Sequence, residues 1–208
     1  MRLRITFAKT EAMRFTGHLD LHRAWERTFR RAGLPLAYTQ GFSPHPRLNL
    51  ASALPLGCTG EAELIDAWLE VDLDVVEVLA RLQEAAPPGI KVEAAEAVDE
   101  RLAALQSMLR ANIYTITLVE PLAGLNDCLN GLLGAASLPR ERRGKAYDLR
   151  PLILDLSALP DDDQGRPRFQ AVMMAQEGAT GRPEEVLEAL GVGAAGGRSH
   201  RTGIVLEE

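Results

Sequence analysis

Within YTQGFSPHPRLNL, residues 38–50, two prolines bracket His45 and Arg47 follows directly. Histidine changes charge near neutral pH and arginine grips anions through a planar fork, so this pair suits proton transfer to, or clamping of, a phosphate or carboxylate. Proline fixes its own φ and pushes the preceding residue into extended geometry, so Ser43 and His45 are held in place. A stiff loop loses little entropy when a ligand docks. The plainer alternative is a rigid strand entry whose histidine satisfies a backbone carbonyl. Upstream, RFTGHLD places Arg14 and His18 beside Gly17, where a helix N-terminus favours an anion. His18 and His45 are therefore the candidate general acid–base residues.

Basic residues cluster around these motifs. Residues 1–50 carry nine Lys or Arg against three acids, inside a chain of net charge -6. A local positive field inside an acidic protein marks where an anionic ligand would go, unless the arginines pair with the acidic remainder. The expected anion-binding set in this half is Arg14, His18, Arg23, Arg27, Arg30, Arg31, Gln40, His45 and Arg47. A second cluster, PRERRGKAYDLR, adds Arg142, Arg143, Lys145 and Arg150, with Gly144 marking a hairpin or loop. Two basic loops at matching positions would suit a nucleic acid. The plain reading is a solvated charged loop. Aromatic residues make up only 5% of the chain, which leaves few platforms for base stacking.

Other chemistries lack their handles. Walker A, GxSxG, GxGxxG and HExxH motifs are absent from the sequence. Cys58 and Cys128 stand far apart in sequence and no CxxC or CxxxCxxC spacing exists, which argues against a disulfide framework, a zinc ribbon or an iron–sulfur cluster built by this chain. His18, His22, His45 and Cys58 assemble into a metal set only on paper, and no metal is expected. No apolar run reaches the roughly 18 residues of a membrane span, and MRLRITFAKT has no apolar segment followed by a cleavage site, so the expected location is the cytoplasm.

The elements that must position these residues follow from periodicity. RLRITFAKT alternates as a half-buried strand. Leu21, Trp25, Phe29 and Ala32 form a helical stripe, with Asp20 as the expected cap, Gly33 and Pro35 as the stop, and Arg23, Arg27, Arg30 and Arg31 on an exposed face. RLNLASAL and ELIDAWLEVD read as strands, DVVEVLARLQEAA as a helix and IKVEAAEAV as a strand. After a helical connector, DERLAALQSMLR, the order repeats: IYTITLV, a helix in LAGLNDCLNGLLG, strands in YDLRPLILDL and RFQAVMMAQEG, a helix in PEEVLEALG and a strand in HRTGIVLE. This predicts an α+β fold of two tandem ferredoxin-like (βαββαβ) units with antiparallel sheets, residues 1–98 and 113–208, joined by residues 99–112. One continuous α+β domain is the competing arrangement. In such a unit the loop after strand one is expected at the end of the sheet opposite the loop between strands two and three.

MRFTGHLDLHRAWERTFRRAGLPLAYTQGFSPHPRLNLASALPLG, the ELID strand, PPGI and RRGKAYDLRP together resemble the radical-SAM-linked domain of unknown function found in many bacteria. That family occurs alone or fused behind a cobalamin-binding radical SAM protein. Its pattern matches here at Arg14, Phe15, Gly17, His18, Asp20, Arg23, Arg31, Gly41, Phe42, Pro44, His45, Pro46 and Arg47, and His22 lies outside it. The resemblance implies a radical SAM protein as partner, with any iron–sulfur cluster, S-adenosylmethionine and cobalamin carried by that partner and no cofactor by this chain. Three functions stay open: a substrate-binding companion taking structured RNA, an endoribonuclease-like enzyme using His45 or His18, and a protein interaction module.

Overall fold

The computed structural model describes residues 1–142, 144–176 and 178–207. The chain folds as two compact units, 1–109 and 110–207. The first contains β1 (Arg2–Lys9), α1 (His18–Arg31), β2 (Leu48–Leu50), β3 (Thr59–Trp68), α2 (Val75–Ala85), β4 (Ile90–Val98) and a single helical turn, α3 (Leu105–Met108). β1 pairs antiparallel with both β3 and β4, and β2 pairs antiparallel with β3, which gives the spatial order β2-β3-β1-β4.

The two helices of this unit bury the stripes their periodicity dictates. Leu21, Trp25 and Phe29 of α1 and Val78 and Leu82 of α2 cover Leu3, Ile5, Phe7 and Ile65. Phe7 meets Trp25 edge-on at 4.9 Å. Each such side chain contributes about 1.5–3 kcal/mol when fully buried, and α1 is thereby fixed against the sheet. Gly33 adopts φ 65° and ends the helix, as expected from its missing Cβ. Asp74 caps α2 by accepting from the Glu77 N–H at 3.0 Å.

Four expectations need correction. Gly17, not Asp20, is the N-cap of α1; Asp20 lies in the first turn, where its carboxylate meets Arg23 at 3.3 Å. The connector is helical only over α3, because Leu109 already begins the next strand. β1 is not half exposed. Arg2, 1% exposed, and Arg4 both donate to the Asp66 carboxylate, and Arg2 also donates to the carbonyls of Leu102 and Ala103. Finally, the loop after β1 shares an end with the loop between β2 and β3: Gly57 N–H donates to the Arg14 carbonyl at 3.1 Å. The helix between β1 and β2 returns the chain, so both strands run the same way and finish at the same edge.

The second unit repeats the order: β5 (Leu109–Leu118), α4 (Leu125–Gly134), a hairpin of β6 (Pro139–Arg142) and β7 (Lys145–Asp148), then β8 (Ile153–Leu159), β9 (Arg168–Gln176), β10 (Ala179–Thr180), α5 (Pro183–Ala189) and β11 (Gly197–Leu206). β9 pairs antiparallel with β5 and β8, and β11 neighbours β5, so the order β8-β9-β5-β11 matches that of the first unit. YDLRPLILDL is split: YD belongs to the hairpin, Pro151 sits in a 3₁₀ turn, and the strand starts at Ile153. The chain is thus α+β with a repeated β-α-β-β-α-β order. Among the described residues no helix is long and apolar enough to cross a membrane.

Candidate functional site

The segment between α1 and β2 is a closed arm. Ala37 N–H donates to the Trp68 carbonyl and Arg47 N–H to the Ala37 carbonyl, both at 2.8 Å. Further out, Thr39 and His45 clasp each other twice, Thr39 N–H to the His45 carbonyl at 2.8 Å and His45 N–H to Thr39 Oγ1 at 3.0 Å. The hydroxyl of Thr39 accepts from His45 N–H where a regular strand pair would use the Thr39 carbonyl. Beyond the clasp, residues 40–44 form the tip. Gln40 is exposed there, Phe42 is fully exposed, and the His45 ring stays open to solvent.

Arg47 is aimed by Trp68. Its guanidinium lies 4.6 Å from the ring centroid, and that of Arg2 lies 4.9 Å from it. Trp68 therefore sits between an arginine from each neighbouring strand, one anchored on Asp66 and the other exposed. Cation–π attraction of roughly 0.5–2 kcal/mol holds Arg47 without consuming its hydrogen-bond donors.

Arg23, Arg27, Arg30 and Arg31 are exposed, as expected. Arg23 pairs with Asp20. Among the described residues Arg27, Arg30 and Arg31 make no ion pair. Arg30 faces the arm across a recess of about 270 Å³, with Glu26, Tyr38, Pro46 and Glu70 among the lining residues. Arg31 lines a separate recess with Arg81 and Glu84 of α2.

The two candidate histidines are not brought together. Pro46 sits level with Glu26 and Arg30, whereas His18 opens α1; eight residues of helix, about 12 Å, separate His18 from Glu26 alone. Arg14 stands with His18 at that far end and serves the fold: its Nε donates to the Gly57 carbonyl at 2.7 Å and its guanidinium lies 5.2 Å from the Phe15 centroid. His22 reaches Glu26 with Nδ1 at 3.1 Å and the Leu48 carbonyl with Nε2 at 3.3 Å. Among the described residues no group of three or more His, Cys, Asp or Glu is arranged to hold a metal.

The second basic cluster is more committed. Gly144 turns the β6–β7 hairpin with φ 75°, and Arg143 lies outside the described residues. Arg142 donates to the Glu185 carboxylate and to the Thr180 carbonyl, and stacks on Tyr147 at 5.0 Å. Tyr147 donates its hydroxyl to the same carboxylate, which also caps α5 by accepting from Arg182 N–H at 3.3 Å. Burial alone would lower the Arg142 pKa, but the bond and charge of Glu185 outweigh it and raise it. Tyr147 is pushed up by burial first and by Glu185 second. Arg150 donates to the carbonyls of Leu133 at 2.9 Å and Ile153 at 2.7 Å. Asp148 is held below the usual carboxylate range by the N–H groups of Leu138 and Arg150. Lys145 alone of the described cluster remains exposed without such a clasp.

Sequence reasoning missed Tyr38, Trp68 and Glu70 at the first site and Tyr147 and Glu185 at the second. A signal existed for Glu185, which follows Arg182 and Pro183 at the third helical position, where an acidic side chain reaches back to the cap.

Fold and site together define a small α+β protein whose first unit carries exposed arginines on α1 and an exposed Phe42 on the arm. The chain belongs to the family described as uncharacterized protein conserved in bacteria (DUF2344), which it matches over residues 2–183. No curated protein matches it. Among solved structures it is similar to a chain of a Cbf5-Nop10-Gar1 complex, at 8% identity and a TM-score of 0.51, over 99% of this chain and 50% of that one. It thus spans about half the length of that relative, and at this identity the likeness is one of fold alone. An unknown protein from Galdieria sulphuraria (11% identity, 91% and 89% covered) and a putative glycine cleavage system transcriptional repressor (9%, 99% and 98%) align at TM-scores of 0.27 and 0.26, too low to support any inference.

Proposed function

We propose that this protein is a substrate-binding companion of a radical SAM enzyme and that it holds RNA on the basic face of α1 and the arm that follows. The reading takes the two units as tandem ferredoxin-like domains, 1–98 and 113–208 around the connector 99–112; the shared strand order β2-β3-β1-β4 and β8-β9-β5-β11 supports that assignment. The link to radical SAM chemistry rests on the resemblance carried by GHLDL, RRAGLP and GFSPHPR.

One observation carries the RNA reading. Arg27, Arg30, Arg31 and Arg47 are all exposed and among the described residues none of them is spent on an ion pair, while Phe42 is fully exposed at the tip of the arm that leads to Arg47. Exposed guanidiniums with a projecting aromatic ring are what a phosphate backbone and an unstacked base require together. Arg142 and Arg150, held by Glu185 and by backbone carbonyls, leave the second unit a lesser share of the contact.

The test is an electrophoretic mobility shift with total cellular RNA across a salt series. Retention at low salt that fades as salt rises, and that the triple variant Arg27→Ala, Arg30→Ala, Arg31→Ala abolishes, is the expected result. No retention by the wild-type protein at low salt would end the RNA reading. Co-purification from bacterial cells, with protein partners identified by mass spectrometry, checks the radical SAM partner.

A further inference from the structure

The geometry points to a guanine-selective pocket in the recess between α1 and the arm; this inference rests on the RNA reading and names the nucleotide that site would take. The recess, about 270 Å³, is smaller than the roughly 300–1,000 Å³ of pockets that enclose drug-sized ligands, and so suits a single planar base. Its walls are Tyr38 and Pro46 from the arm and Leu34 below, and its polar groups are Arg30 and two carboxylates, Glu26 and Glu70. A phosphate would meet two negative charges there. A neutral ring presenting both donors and acceptors would meet partners for each.

The carboxylates differ. Glu26 already engages His22, whereas the Glu70 side chain has no hydrogen-bond partner among the described residues and is exposed. A free carboxylate accepts two adjacent N–H groups, and guanine is the common base that offers a ring N–H beside an exocyclic amine. On its other edge guanine shows O6 and N7, the pair an arginine fork reads best. Arg30 lines the same recess as Glu70 and would supply that fork. Adenine places an unprotonated ring nitrogen beside its amine, which would face the carboxylate lone pairs. Tyr38, 48% exposed, supplies the ring face for stacking, while Phe42 at the tip serves the neighbouring base and Arg47 the backbone.

The test is fluorescence anisotropy with labelled oligouridylates carrying one central guanosine, adenosine or inosine. The wild-type protein should bind the guanosine oligomer about tenfold tighter than the adenosine one, with inosine, which lacks the amine, in between. Glu70→Gln should bring the guanosine and adenosine oligomers to equal affinity, the readout being the ratio between the two. Tyr38→Ala should weaken all three centrally substituted oligomers. Equal affinity for guanosine and adenosine with RNA still bound overturns the pocket and leaves the RNA reading standing. Failure of every oligomer to bind at low salt overturns both.

Discussion

Replacing Asp66 by asparagine tests the buried charge cluster that underlies the arm. Asp66 is 0% exposed and accepts from Arg2 and Arg4, whose side chains are 1% and 12% exposed. Asparagine keeps the volume but removes the charge and turns a donor towards two cations. Arg4 has some access to water; Arg2 has almost none. Breaking a buried pair from one side leaves an uncompensated charge and costs about 3–5 kcal/mol. For a chain of 208 residues this corresponds to a fall in Tm of roughly 6–20 °C. Urea denaturation followed by circular dichroism measures the loss. The companion variant, Arg2→Leu with Asp66→Leu, removes both charges and should recover at least about half of it. A loss below about 1 kcal/mol in Asp66→Asn, or a double variant as unstable as the single one, would refute the claim that Arg2 depends on this carboxylate.

Three further outcomes follow from the geometry. With Arg27, Arg31 and Arg47 on phosphates, the logarithm of affinity for single-stranded RNA should fall against the logarithm of salt with a slope of about -2.1, and Arg27→Ala with Arg31→Ala should flatten it by about 1.4, measured by anisotropy. Glu185→Gln should lower the Tyr147 pKa relative to wild type, because burial and the Glu185 bond together raise it, and should cost about 1.5–3 kcal/mol through the weakened bond from Arg142; ultraviolet tyrosinate titration with Tyr147→Phe as blank reads the first effect and urea denaturation the second. Asp162 is drawn down from 3.8 to about 2, chiefly by the Arg166 side chain and next by its N–H. A depressed carboxylate stabilises the fold above its unfolded pKa and loses that contribution as pH falls through its folded value, so the difference in Tm between wild type and Asp162→Asn should be full above pH 3.8 and vanish below about pH 2.

What the sequence revealed depended on whether the deciding contact was local. β4 begins right after PPG and runs over the predicted IKVEAAEAV because proline and glycine punctuate through their own backbone. The stripe of α1 was readable from spacing, but its start was not: Gly17 caps without a side chain, and Asp20 offered a stronger local signal three residues late. The stiffness of the arm was visible in its two prolines, and its aim was not, since Trp68 and Asp66 arrive from another strand. Arg14, Arg142 and Arg150 looked like ligand groups because a guanidinium bound to a backbone carbonyl leaves no trace in residue type.

The clasp between Thr39 and His45 decides who must adapt when a ligand arrives. An arm closed on both backbone groups of His45 has few conformations to give up and few to offer, so it cannot wrap around a folded duplex. On the RNA reading proposed above, the strand would have to come to it already opened. Recognition would then be governed by how often a transcript exposes an unpaired stretch, and RNA stem stability, more than any rearrangement of the protein, would set the rate of capture.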